Sequence, residues 1–137
     1  LGIKPEVLSG NVIGIVAQRL VRVLCPQCKQ EHTAGPAEQR LLDLAQHPDA
    51  QLFAPVGCPV CEFQGYRGRM SILELLKFDA ELDELVAQRA SLMTMNQHLR
   101  KQGFISMAED GLRRVRQGLT TVEEIGRVVD LTEWAQT

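Results

Sequence analysis

The chain has four cysteines, and they fall as two pairs. One is C-P-Q-C at Cys25 and Cys28, the other C-P-V-C at Cys58 and Cys61, with 29 residues between Cys28 and Cys58. No other feature restricts the fold as strongly. A C-x-x-C turn can aim two thiolates at one point, and two such turns facing each other complete the tetrahedron that zinc prefers. Two disulfides, a redox-active pair and unligated core thiols are the other readings of the same residues. The matched spacing favours a tetracysteine zinc site. The gap between the pairs exceeds the ~15–20 residues of common zinc ribbons, so it should carry structure of its own.

The flanking patterns suggest what that structure is. "PEVLSGNVI" is expected to form a short helix with Val7, Leu8 and Val12 inward, and Pro5 suits its first turn. "GIVAQRLVRVL" (14–24) is rich in β-branched residues and reads as a strand, mostly buried, running into the first pair. "GPAEQRLLDLAQHP" (35–48) predicts a helix in the gap, with Leu41, Leu42 and Ala45 inward and Pro48 as its stop. "YRGRMSILELLKF" (66–78) reads as a second extended segment.

Helix signals dominate beyond residue 78. Asp79 and Ser91 are expected N-caps, and Gly103 and Gly118 expected left-handed C-caps. Ser106 with Glu109, and Thr121 with Glu124, have the spacing of capping boxes. The predicted class is α+β, mostly α: short strands with a tetracysteine zinc-binding insertion, followed by a small C-terminal helical bundle.

Several functions find little support in the residues. Net charge is −2 and the calculated pI about 5.9, which argues against a dedicated nucleic-acid binder. No apolar window reaches the ~18 residues of a membrane span. No phosphate-binding G-x-x-x-x-G-K-[ST] motif is present. His32 stands near the first cysteine pair as a candidate substitute ligand or supporting group, though a solvated loop histidine is the plainer reading. His47 and His98 read as exposed helix residues. "RRVR" (113–116) reads as the wet face of a helix with Leu112 and Val115 inward. Its alternative is phosphate contact, with Arg67 and Arg69, in a stand-alone zinc ribbon that binds nucleic acid. A closed four-thiolate site has no open coordination position and cannot activate water. The residues alone therefore describe a non-catalytic, zinc-stapled module.

Three stretches carry a resemblance: "VAQRLVRVLCPQCK", "GCPVCEFQGYRGRMSILELL" and "GFISMAEDGLRRVRQGLTTVEEIGRV". In this order they resemble the C-terminal region of the type II secretion and type IV pilus assembly ATPases, in their tetracysteine branch. The resemblance runs from about Ile13 to Arg127. It implies that residues 1–24 are the tail of a nucleotide-binding domain. Residues 25–65 would be the zinc-binding insertion, 66–78 an extended segment, and 79–137 a helical subdomain. Leu1 and "LGIKPEVL" accordingly read as the interior of a longer polypeptide. Cys25, Cys28, Cys58 and Cys61 carry over as ligands of a structural zinc. Gln18 and Arg19 match the family's "QRL", with packing or subunit contact as their role. The parent would be a cytoplasmic hexameric motor, peripheral at the inner membrane on its platform proteins. It would use ATP and magnesium to drive pilus or pseudopilus assembly. The phosphate loop and catalytic glutamate would lie upstream, so this chain alone would not be an enzyme. Met70, Ser71, Leu73 and Gly126 depart from the family pattern and leave the branch open.

Overall fold

The computed structural model describes residues 5–8 and 10–132. The architecture is α+β. In order, the elements are α1 (Pro5–Leu8), β1 (Gly14–Leu24), β2 (Gln30–Glu31), α2 (Pro36–Leu41), β3 (Phe53–Ala54), a 3-10 turn (Pro59–Cys61), β4 (Tyr66–Lys77), α3 (Ala80–Ala87), α4 (Leu92–Lys101), α5 (Met107–Arg116) and α6 (Val122–Gly126). β1 pairs with β4, and β2 with β3. The Phe78 N–H bonds the Ile13 carbonyl beyond one end of the long pair, and the Cys25 N–H bonds the Gly65 carbonyl beyond the other. The two long strands therefore run antiparallel.

The chain divides into two compact units, residues 1–17 with 74–106 and residues 18–73 with 107–137. In the first, α1 packs on α3 and α3 on α4. Leu82 and Leu99 are buried there. Asp79 caps α3 by accepting from the Leu82 N–H, and Ser91 caps α4 by accepting from the Thr94 N–H. α4 closes at Gly103 in the left-handed region, with the Phe104 N–H on the Leu99 carbonyl. Val7 is exposed rather than inward, because a four-residue helix has too few turns to cover both faces.

The second unit holds the larger core. Val21 of β1, Ile72 of β4, Leu42, Leu52, Leu112 and Val115 of α5, and Ile125 of α6 form one buried cluster. α5 lies against α6. Among the described residues, the four helices after residue 78 thus fall as two pairs, α3 and α4 in the first unit and α5 and α6 in the second.

Two expectations need correction here. β1 is mostly exposed, with Val16 at 66% and Leu20 at 55%; only Val21 and Leu24 are buried. Apolar content alone cannot predict cover, and a two-stranded ribbon gives each side chain few neighbours. The helix in the gap is also shorter than predicted, ending at Leu41. Asp43 turns left-handed at φ 45 and the Leu44 N–H closes on the Gln39 carbonyl, so the chain leaves the helix before Pro48 acts. Leu42 is buried as expected, but Ala45 is exposed.

Candidate metal centre

The two C-x-x-C turns meet. β1 delivers Cys25 directly from its end. β2 and β3 then pair antiparallel, Gln30 with Ala54 and Glu31 with Phe53. This small ladder returns the chain across the helical insertion and sets the second turn beside the first. All four sulfurs lie within 4.8 Å of one another. Cys25 to Cys58 is 3.9 Å, Cys28 to Cys61 is 3.7 Å, and Cys58 to Cys61 is 3.8 Å. A tetrahedron with Zn–S bonds of about 2.3 Å has S–S edges of about 3.8 Å. A disulfide would require about 2.05 Å, and all four cysteines are free. The disulfide reading is therefore set aside, and the donor set fits a thiophilic metal.

Backbone N–H groups support the cluster. Gly57 donates to the Cys28 sulfur at 3.3 Å. Cys61 accepts from the N–H of Cys58 at 3.2 Å and of Gly65 at 3.3 Å. Burial opposes ionisation of the Cys61 thiol, but these two donors and its neighbouring thiols outweigh it and bring the pKa down to about 6. Burial pushes the Cys28 thiol up to about 11, with the Gly57 N–H working against it. A cation bound by the cluster would take the thiols together as thiolates. Gly65 is needed for close approach: a Cβ there would lie 2.6 Å from that of Pro55, and its φ is +75.

The other candidate residues are placed as follows. His32 is exposed, its Nε2 2.7 Å from the Glu38 carboxylate, and it lies outside the four-sulfur cluster. His47 is exposed and lies between two turns rather than in a helix. His98 overturns its expectation. It is only 5% exposed, with Nε2 2.9 Å from Asp79 and Nδ1 3.4 Å from Glu81. The two carboxylates at the start of α3 recruit it as a cross-brace from α4, which periodicity along α4 alone does not reveal. The Leu82 N–H, and after it His98, hold the Asp79 carboxyl below its ordinary range. Gln18 and Arg19 are exposed on β1. Within "RRVR", Arg113 and Arg114 turn to the buried Asp110, and Arg116 donates to the Leu42 carbonyl. Leu112 and Val115 point inward as expected. These internal partners account for "RRVR" without a nucleic acid, while Arg67 and Arg69 are exposed on β4.

One pair of residues escaped the sequence. Thr121 caps α6 through the Glu124 N–H, but the Glu124 side chain accepts from the Arg22 backbone and guanidinium and from Arg127. The expected reciprocal box is thus half formed, because a distant guanidinium competes better for the carboxylate than a nearby N–H. Arg22 also lies 4.2 Å over the Tyr66 ring, and the Tyr66 hydroxyl is 3.0 Å from the Thr121 hydroxyl.

An antiparallel ribbon ends in a four-thiol cluster whose donor set is consistent with a structural metal. Residues 1–127 match the family described as "Type II/IV secretion system protein", and the chain belongs to that family. It is 42% identical over 128 residues to the "Type II secretion system ATPase E" of Vibrio cholerae. It is 44% identical over 128 residues to the "Type II secretion system protein E" of Pseudomonas aeruginosa. Each of these alignments covers 93% of this chain and 25% of the relative. The "Type IV pilus assembly ATPase PilB" of Thermus thermophilus is 37% identical over 127 residues, covering 91% of this chain and 14% of that protein. The chain spans about a quarter of the length of the first relatives it matches. Among the described residues, no helix is long and apolar enough to cross a membrane.

Proposed function

We propose that this chain is the zinc-stapled C-terminal module of a secretion or pilus-assembly motor ATPase. The observation that carries the reading is the four-sulfur cluster, with edges of 3.7–3.9 Å, set within the family's sequence frame. Cys25, Cys28, Cys58 and Cys61 would hold a structural zinc. Its chemistry is that of a closed Lewis-acid knot, with no position left for water. In small zinc peptides such a knot contributes roughly 10–16 kcal/mol to folding at neutral pH. Residues 1–24 would continue a nucleotide-binding domain, and 25–65 would form the zinc insertion.

The parent would hydrolyse ATP with magnesium to drive pseudopilus or pilus assembly and protein secretion. It would work as a cytoplasmic hexamer docked on inner-membrane platform proteins. Exposed Gln18 and Arg19 would be free for contact with neighbouring subunits. The 137-residue chain alone would hydrolyse no ATP.

The test is elemental analysis of the purified chain, with far-UV circular dichroism before and after chelation and an ATPase assay. One zinc per chain, loss of structure on chelation and no turnover support the reading. No metal with unchanged folding, or turnover by this chain, would overturn it.

A further inference from the structure

We infer that Lys29 is a positioning residue that ties the thiolate cluster to the turn between α5 and α6, so that metal loading is read at that turn. The inference rests on the zinc reading above and concerns how the site is coupled to the rest of the unit.

The turn closes α5 in a Schellman pattern. The Gly118 N–H bonds the Val115 carbonyl at 2.8 Å and the Leu119 N–H bonds the Arg114 carbonyl at 3.1 Å. A helix end also leaves carbonyls that its own turn cannot satisfy. Here they are taken by the metal-binding insertion and its entry. The Gln51 N–H bonds the Arg116 carbonyl at 2.9 Å, and the Leu24 N–H bonds the Leu119 carbonyl at 2.8 Å. The Lys29 ammonium donates to the Gly118 carbonyl at 2.8 Å.

Two of these donors flank the first pair of cysteines. Leu24 immediately precedes Cys25, and Lys29 immediately follows Cys28. The Lys29 N–H also bonds the Cys25 carbonyl at 3.0 Å, so its backbone is part of the knuckle. Its side chain is held in place at the far end: Nζ lies 4.1 Å from the centre of the Phe53 ring. A cation at a helix C-terminus is favoured by the helix dipole, and one over a ring face by the ring's electrons. The Phe53 ring in turn lies against the turn itself, since a Cβ on Gly118 would come within 2.6 Å of it.

Beyond Leu119 the turn continues to the start of α6. Thr120 donates to the Arg22 carbonyl at 2.8 Å, and Thr121 caps α6. When the four thiolates share a metal, the knuckle fixes Leu24 and Lys29, and these fix the turn. Coupling is reciprocal, so a loosened turn also weakens retention of the metal.

The test uses the whole chain, with zinc stoichiometry measured on every sample. Amide hydrogen exchange is followed by mass spectrometry over residues 117–125 in the wild type, Lys29→Met and Lys29→Arg. Zinc release to a chromogenic chelator is timed on the same proteins. Lys29→Met is expected to keep one zinc per chain, to exchange about tenfold faster over 117–125, and to release zinc faster by a similar factor. Lys29→Arg is expected to restore most of both. A fully loaded Lys29→Met protein with unchanged exchange and unchanged release would overturn the inference while leaving the zinc reading intact. A wild type without zinc would overturn both, and the stoichiometry alone identifies that case. The variants decide the matter even where chelation unfolds the whole unit.

Discussion

Arg22 on β1 holds the Glu124 carboxylate of α6 with two guanidinium nitrogens, at 2.9 and 2.6 Å, across 102 residues of sequence. The Arg22 backbone N–H donates to the other carboxylate oxygen at 3.0 Å. Glu124 is 4% exposed, so its charge depends on these partners rather than on water.

Arg22→Ala is therefore expected to cost about 3 kcal/mol, since removing one partner strands a buried charge. Arg127 remains at 3.0 Å and keeps the loss from being larger. Urea denaturation of the zinc-loaded protein measures it. A change under about 0.5 kcal/mol would mean that solvent reaches Glu124 and that the pair is an ordinary surface bridge.

The same pair sets an acid limit. Burial opposes ionisation of Glu124, but the Arg22 hydrogen bonds outweigh it and hold the carboxyl below its ordinary value of 4.5. A carboxyl with a depressed folded-state pKa contributes stability above its unfolded value, and that contribution is lost as pH falls through the folded value. Wild type should lose its advantage over Glu124→Gln below about pH 4.5. The difference between the two proteins is the quantity to follow, because acid also protonates the cysteine thiolates. A difference independent of pH from 7 to about 3 would refute the assignment.

Gly118→Ala should be among the most damaging single methyl additions. The residue sits at φ +67, and a Cβ would meet the Phe53 ring at 2.6 Å and the Gln51 carbonyl oxygen at 2.9 Å. The left-handed conformation alone costs roughly 1–2 kcal/mol, and forced repacking adds about 1–3 kcal/mol. Thermal unfolding followed by circular dichroism reads the sum. An unchanged midpoint would show that the turn can move away from Phe53.

Arg89→Gly should act in the opposite direction. Arg89 closes α3 at φ 55, with its N–H on the Val86 carbonyl and the Ala90 N–H on the Leu85 carbonyl. This is the glycine position of a helix C-cap occupied by a residue with a Cβ. Relief of that strain, less the extra chain entropy of glycine, should stabilise by about 0.5–1 kcal/mol. Exchange of the α3 amides should slow correspondingly; faster exchange would count against the strain.

What could be read in the sequence was local. The cysteine spacing named the four residues that the structure brings together, and Asp79, Ser91, Gly103 and Gly118 named real helix ends. Each of those signals is chemistry within a few residues. The unreadable features depend on distance. His98 is buried because Asp79 and Glu81 come to it from another helix. Glu124 gives up its expected capping role because Arg22 arrives from a strand far upstream. β1 looked like a core strand because Val and Ile satisfy strand geometry whether or not anything covers them.

The spacing of these closures also orders them in time during synthesis. Cys25 meets Cys58, and Cys28 meets Cys61, across 33 residues. Arg22 must wait 102 residues for Glu124. At roughly 5–20 residues per second, the cysteines are all made within about 2–7 s, while the carboxylate follows Arg22 by about 5–20 s. The thiol knot can thus tie off the nascent chain before the helices that brace it have left the ribosome.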